Sequence, residues 1–244
     1  MAYKLLTSNN KLDKGGQLID ILGLAFAPAD HSGHEVCPWR GKCAKACSLW
    51  FSGRTVTQSV RGAAIRRTRY FFEDRAAFMA DLHEDLVKRQ AYAVANPDII
   101  VCVRLNTASD IPWECIDPTL FSRYPDVRFY DYTKSVIRAM SLKLPDNYEL
   151  TYSVNEQSDL VEVDTLLTMR RNCAVAFDTI YRPAHNNVQP LPAAWNGRQV
   201  IDGDVYDARL ADLDGRGVIV GLRGKGGKRR VIEAVEDGFV QVTA

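Results

Sequence analysis

Short apolar runs alternate with longer segments of helical periodicity along most of this sequence. The clearest run is IIVCVRL, from Ile99 to Leu105. It follows a stretch at 75–95 in which Phe78, Leu82 and Leu86 fall on one helical face. Runs this short and this rich in β-branched residues are typical of central parallel strands. Parallel neighbours need long crossover connections, so the alternation predicts an α/β fold.

The same alternation continues along the chain. We predict strands at 17–28, 99–105, 127–132, 148–154, 174–179 and 217–222, and helices at 55–72, 75–95, 118–124, 135–143 and 163–171. These units imply right-handed crossovers and a parallel sheet with alternating helices, either open or curled into a partial or full (β/α) barrel. The 244 residues, 46% of them hydrophobic, suffice for a single α/β domain at 1–244. It would carry a cysteine-bearing loop at 28–53 and a basic C-terminal segment at 223–230.

Three cysteines lie within eleven positions of the loop after the first predicted strand. They are Cys37, Cys43 and Cys47. Thiolates are soft ligands for zinc and for iron–sulfur clusters, so we predict a metal centre here rather than free buried thiols. Two alternatives remain for the fourth coordination position. His31 or His34 completes a closed zinc site, or a four-iron four-sulfur cluster keeps one iron open to a small molecule.

Polar side chains follow the predicted strands at the points where the strands end. They are Arg104, Asn106, Asp110, Asp131, Lys134, Asn155 and Glu156. Ligands of parallel sheets bind at the carboxyl ends of the strands, so we predict that these residues line one cavity facing the cysteine loop. Caps and turns are the alternative role for part of the set. Arg104 is the most informative, because a guanidinium emerging from an apolar run needs an anionic partner or solvent.

Charge is informative only where it clusters, because 31 basic and 30 acidic residues leave a net charge of +1. The basic clusters with nucleic-acid-binding potential contain Arg61, Arg66, Arg67, Arg229 and Arg230. Cations beside accessible backbone amides favour phosphate, so we predict contact with a nucleotide or a nucleic-acid backbone. A solvated surface is the alternative.

An acidic stretch follows at 202–214. It contains Asp202, Asp204, Asp207, Asp212 and Asp214. The spacing differs from that of a calcium-binding loop, so we interpret the stretch as a structural loop that pairs with the basic segments.

The order strand, cysteine loop, helix and further parallel strands resembles the radical S-adenosylmethionine enzymes. In that superfamily three cysteines hold a four-iron four-sulfur cluster, and the open iron binds the amino and carboxylate groups of S-adenosylmethionine. The cysteine spacing there is three residues and then two, whereas here it is five and then three. The segment GVIVG also looks like the strand that flanks adenine in those enzymes. The resemblance implies Cys37, Cys43 and Cys47 as cluster ligands, and Asn155, Glu156, Gly217, Ile219 and Gly221 as the S-adenosylmethionine site.

A second resemblance covers nearly the whole chain. The segments that carry it are KLLTSNNKL, VCPWRGKCAKAC, RLNTASDIPWE, FYDYTK, YSVNE and VIDGDVYDARLADLDGRGVIVGLRGKG. They resemble a bacteriophage family called gene product 88. This resemblance implies a phage or prophage origin but no particular reaction.

Two functional classes follow. The first is a radical S-adenosylmethionine-like enzyme acting on a nucleotide, nucleic acid or small metabolite. Its cofactor would be cleaved reductively at the open iron, and Arg104, Asn106, Asp110, Asp131 and Lys134 would act on the substrate. The second is a zinc-stabilised protein without catalytic activity. In it the helix predicted at 55–72, called the arginine helix for Arg61, Arg66 and Arg67, contacts nucleic acid.

Neither an N-terminal signal peptide nor a membrane span is apparent in the sequence. The first residues lack the apolar core of a signal peptide, and no apolar run approaches the roughly 20 residues that a span requires. We expect a cytoplasmic protein without a membrane partner, in the host cytoplasm if it is phage-encoded. Cysteines of a reducing compartment are ligands or free thiols. Cys102, Cys115 and Cys173 show no spacing pattern and are predicted to be packing residues.

Overall fold

A computed structural model describes residues 4–8, 12, 18–44, 50, 57–179, 181–182, 187–224 and 228–243. The strands are β1 (Ile19–Gly23), β2 (Ile100–Arg104), β3 (Arg128–Thr133), β4 (Tyr148–Ser153), β5 (Cys173–Phe177), β6 (Tyr181–Arg182), β7 (Asn187–Val188), β8 (Ala194–Trp195), β9 (Arg198–Asp202), β10 (Ile219–Arg223) and β11 (Val240–Gln241). The helices are α1 (Ala29–Ser32), α2 (Gln58–Glu73), α3 (Arg75–Ala95), α4 (Trp113–Ile116), α5 (Val136–Ala139), α6 (Leu160–Thr168), α7 (Ala211–Asp214) and α8 (Lys228–Glu236), with a short 3-10 helix at Lys42–Ala44.

Nine of the strands form one sheet in the order β1-β2-β3-β4-β5-β10-β9-β8, with β11 also paired to β5. In this sheet order, each pair of neighbouring strands from β1 through β10 to β9 is parallel, as the alternation of strands and helices predicts. At the far edge β8 pairs with β9 antiparallel. Asn196 and Gly197 both have positive φ there, which suits the two-residue turn of a hairpin. The order does not return from β8 to β1, so over the described residues the sheet is open and a closed barrel is not confirmed.

Both faces of the sheet are covered near β2. Val101 and Val103 point into a core formed with α3, where Phe78, Leu82 and Leu86 are fully buried as the helical periodicity predicts. The residue between them, Cys102, belongs to a second cluster on the opposite face. Alternation of this kind, with apolar residues on both sides, is what a buried parallel strand requires. A further core packs α6 against β5 and β10.

The predicted helix at 118–124 is wrong. The chain forms turns there, and the helical turn α4 comes earlier, at Trp113–Ile116. The side chain of Asp117 accepts hydrogen bonds from the backbone N–H of Thr119 at 3.0 Å and from its hydroxyl at 2.8 Å. Such bonding and the following Pro118 are typical of a helix start, but only one backbone bond of helical spacing follows, from the N–H of Arg123 to the carbonyl of Thr119, so the segment remains a series of turns.

Other boundaries differ from prediction in length. Strand β1 covers only five residues of the segment predicted at 17–28, and α5 ends four residues before the predicted 143. The last three residues of the basic segment predicted at 223–230 belong to α8, a helix that the sequence analysis above does not predict. Within the described part of the chain, no helix has both the length and the apolar character needed to cross a bilayer.

Candidate functional site

A cavity of about 250 Å³ lies at the carboxyl ends of the parallel strands. Six of the residues predicted for the metal centre and the strand-end site line it: Cys37, Cys43, Arg104, Asn106, Asp110 and Lys134. The strand topology explains this meeting, because parallel strands direct their carboxyl ends to one edge of the sheet. The other wall is apolar and comes from α8 and β11, with Val231, Ala234, Phe239 and Val240.

Three other predicted residues lie around the cavity without lining it. Asp131 is buried behind Asn106, whose backbone N–H donates to its Oδ1 at 2.7 Å. Asn155 accepts from the backbone N–H of Gln157 at 2.8 Å and so shapes its own loop. Glu156 accepts from the backbone N–H of Lys42 at 2.8 Å, and thereby holds the cysteine loop from outside.

Gly41 shares this contact between the loop and Glu156. A Cβ atom at position 41 would collide with Oε1 of Glu156. A side chain at position 41 would therefore displace the Glu156 carboxylate from its contact with the backbone N–H of Lys42.

The predicted adenosine strand is packed against the protein itself. A Cβ at Gly221 would lie 2.7 Å from Val200 and 2.9 Å from Leu191, and one at Gly217 would lie 2.6 Å from the carbonyl of Leu167. Ile219 is fully buried in the core beside α6. The close approach that these glycines permit is thus used by the chain's own residues, and none of the three lines the cavity.

Arg104 has the anionic partner that its position in an apolar run requires. Its Nη1 donates to Asp207 at 2.9 Å and 3.2 Å, and the hydroxyl of Tyr130 donates to the same carboxylate at 2.9 Å. The side chains of Arg104 and Asp207 are each about 5% exposed. Burial opposes the charge of Arg104, but Asp207 outweighs burial and keeps its pKa above the ordinary value.

The acidic stretch pairs with four arginines, of which only Arg223 belongs to a predicted basic segment. Arg223 at the end of β10 binds Asp202 at 2.8 Å and Asp204 at 3.3 Å. The other pairs are Arg104–Asp207, Arg128–Asp212 and Arg209–Asp214. Asp204 and Asp207 also line the cavity, a position that the sequence analysis did not assign to them.

Asp131 is almost completely buried, and burial raises its pKa to about 7, although the backbone N–H of Asn106 and the charges of Arg104 and Arg138 act in the opposite direction. In the unfolded chain the same carboxyl group titrates near 4. The folded state therefore holds an extra proton between these values, and the stability that this group contributes is present below pH 4 and lost as the pH rises through 7.

We expect the difference in unfolding free energy between wild type and Asp131→Asn to fall by a few kcal/mol as the pH rises from 4 to 7, since a tenfold difference in proton affinity between the folded and unfolded chain corresponds to about 1.4 kcal/mol. The amide replaces a carboxyl that is protonated at the acidic end of this range. Urea unfolding at several pH values measures the difference. Asp98→Asn, at an exposed carboxylate, is the control. A difference that stays constant with pH would contradict the assignment.

The cysteine loop brings two of its three thiols to the cavity. Cys37 and Cys43 are both partly exposed, and Sγ of Cys37 lies 3.9 Å from the carbonyl oxygen of Ala108. Cys47 lies outside the described residues, and no group of three or more His, Cys, Asp and Glu among the described ones could hold a metal ion.

The two histidines upstream of the cysteines point elsewhere. The ring of His31 packs on Trp50 at a tilt, with centroids 4.9 Å apart, and His34 stacks on Phe72 at 4.6 Å. Neither histidine lines the cavity that Cys37 shares with Cys43. The remaining cysteines divide by burial: Cys102 and Cys173 are buried in the core, where desolvation raises the pKa of each thiol to about 12, whereas Cys115 is exposed.

The basic clusters are only partly available to a partner. Arg67 is buried and donates to the carbonyl of Ala25 at 2.6 Å, and Arg61 donates to the carbonyl of Trp50 at 3.3 Å. Arg66 remains exposed on α2. On α8 the exposed Arg229 pairs with Glu233 at 2.9 Å. The next residue, Arg230, lines the cavity. Arg54 and Lys225 lie outside the described residues.

A family model described as gene product 88 matches residues 3–241. The match includes the cysteine loop, the strand ends that line the cavity, and α8. No curated protein and no solved structure gives a significant match.

Proposed function

The chain belongs to the gene product 88 family, and from this premise and the geometry of the cavity we propose that it is a phage-encoded iron–sulfur enzyme acting on a small molecule. The observation that carries the proposal is the shared cavity of Cys37 and Cys43 with Arg104, Asn106 and Lys134. Thiols and hydrogen-bonding groups in one cavity are the parts that a metal-assisted reaction needs.

The donor set fits a cluster held by cysteines. Cys37 and Cys43 are soft ligands at the edge of a cavity, and Cys47 follows four positions later in the same loop. A cluster bound there supplies one-electron chemistry to a molecule in the cavity. Glu156 and Gly41 would hold the loop in place, because the backbone N–H of Lys42 is fixed by the carboxylate.

Asn106 and Asp110 suit a positioning role in the cavity, because their side chains already bond within the protein. Asn106 is held rigidly, since its Oδ1 accepts from the backbone N–H of Ile111 at 2.9 Å and from the hydroxyl of Ser109 at 2.8 Å. Asp110 is fixed by Arg138 and by the backbone N–H of Lys134. Groups held in this way lose little further freedom when a substrate binds.

The zinc alternative has weaker support. A closed site with three cysteines needs a fourth ligand, and neither His31 nor His34, whose rings pack on aromatic neighbours, lines the cavity of Cys37 and Cys43. The arginine helix is also partly committed to the fold, because Arg67 is buried. Both observations favour the open cluster over the zinc-stabilised nucleic-acid-binding protein.

We expect anaerobically purified protein to be brown and to contain iron and acid-labile sulfide in equal amounts, about four of each per chain. Elemental analysis and visible absorption measure this. Colourless protein with one zinc ion per chain would overturn the cluster and support the alternative.

The finer proposal, a radical S-adenosylmethionine-like mechanism, has a test of its own. Calorimetry on the iron-loaded protein should detect binding of S-adenosylmethionine. An iron-loaded protein that does not bind it would leave an electron-transfer or structural cluster in place of the radical mechanism.

A further inference from the structure

Arg104 is a buried cation with unused hydrogen-bond donors. Only 4% of its surface is exposed, and a single nitrogen, Nη1, makes both contacts with Asp207. Its Nε is buried without a hydrogen-bond partner, and its Nη2 makes no hydrogen bond to any residue that the structure describes. The guanidinium also lies 4.8 Å from the ring centre of Tyr132. A buried guanidinium usually has its donors satisfied, so its position on the cavity wall points to a ligand.

Lys134 places a second cation in the same cavity. Its Nζ contacts the hydroxyl of Ser153 at 3.3 Å and lies 5.6 Å from the ring centre of Phe239. In the described portion of the chain it has no carboxylate within ion-pair distance. Of the described residues that line the cavity, five are cationic and three are anionic. Arg40 and Arg223 pair with Glu35 and Asp202 outside the lining, so the charges left to attract a negatively charged ligand are those of Lys134 and Arg104.

We propose that Arg104 and Lys134 form the subsite for an anionic head group, phosphate or carboxylate, of a small molecule whose apolar body packs against Val231, Ala234 and Phe239. This inference rests on the proposed function, because it names the substrate class of the same cavity. At about 250 Å³ the cavity is near the small end of ligand pockets, which span about 300–1,000 Å³, so the body is about one ring in size. Arginine suits such a head group because its planar fork matches two oxygens of either anion.

The test uses three probes: inorganic phosphate, phenyl phosphate and benzoate. Calorimetry at constant ionic strength, with chloride as the reference anion, should detect binding to the wild-type protein. Phenyl phosphate should bind more tightly than inorganic phosphate, because its ring reaches the apolar wall. Comparison with benzoate then distinguishes a phosphate from a carboxylate head group.

Two substitutions test the subsite, and each has a matched control. Arg104→Lys keeps a charge opposite Asp207 but removes the fork, and Lys134→Met removes the second cation. Each should weaken binding at least tenfold, which is about the value of one charge-assisted hydrogen bond. Lys143→Met and Arg123→Lys change exposed residues outside the cavity and should leave binding unchanged.

The inference is overturned if no probe binds better than chloride, or if Lys143→Met weakens binding as much as Lys134→Met does. Equal affinities for phenyl phosphate and inorganic phosphate would overturn the claim that an apolar body packs against Val231, Ala234 and Phe239. If Arg104→Lys does not fold, Lys134→Met decides alone. Iron and sulfide are measured on the same preparations. Protein that contains iron but binds no anion would overturn this inference and leave the proposed function standing. Protein that binds the anion but contains no iron would overturn the proposed function and leave this inference standing.

Discussion

Replacing any one of Cys37, Cys43 and Cys47 by alanine is expected to reduce iron and sulfide in anaerobically purified protein from full occupancy to about a tenth or less. Each cysteine supplies one of three thiolates, and a site that loses one of them loses most of its binding free energy. The three variants should therefore behave alike, although Cys47 lies outside the described residues.

Metal analysis of the purified variants, with visible absorption, measures this loss. Cys115→Ala is the matched control, because Cys115 is an exposed thiol away from the cavity. Cys102→Ala and Cys173→Ala test the buried thiols, and we expect them to lower stability but to keep the metal. The ligand assignment would be wrong if the loop variants kept their iron while one of these other variants lost it.

Asp207→Asn is expected to lower the free energy of unfolding by about 3–5 kcal/mol, the typical cost of breaking a buried ion pair. The substitution leaves the positive charge of Arg104 uncompensated in a site that is about 5% exposed. It also replaces the carboxylate that accepts from the hydroxyl of Tyr130. Urea unfolding monitored by circular dichroism measures the change.

The matched control for this variant is Asp212→Asn. Asp212 belongs to the same acidic stretch and pairs with Arg128, but its side chain is 67% exposed, so we expect a loss below about 1 kcal/mol. A double variant that replaces Arg104 by methionine and Asp207 by leucine should recover much of the stability, because apolar groups leave no unpaired charge. If Asp207→Asn costs no more than its control, the pair is not what neutralises Arg104.

The predictable part of the site follows from local pattern and topology. The apolar run that became β2 ends at Arg104, and Asn106 and Asp110 follow it immediately. Parallel neighbours place Lys134 at the same edge. These residues could be grouped from the sequence because the rule for strand ends requires only the position of each strand.

The unpredicted part depends on contacts between distant segments. Asp207 is 103 residues from Arg104, and neither residue type nor spacing identifies the two as partners. Helix α8 has a signal in the sequence, since Val231, Ala234 and Val235 recur at helical spacing, but it is short and follows a glycine-rich segment, so it was not predicted. The glycines of β10 indicated a close approach without indicating that Val200 and Leu191 make it.

The two walls of the cavity have a consequence for the order in which the protein acquires its structure. Cys37 and Cys43 stand on one side, while Ala234 and Val240 stand on the other. Strand β11 joins the sheet by pairing with β5, so the second wall exists only after the latest residues of the cavity have folded. Contacts so distant along the chain form slowly, because a long loop must close before they stabilise anything. During synthesis, Cys37 and Cys43 leave the ribosome long before the residues of the second wall do. The two thiols are most exposed to oxidation in this interval.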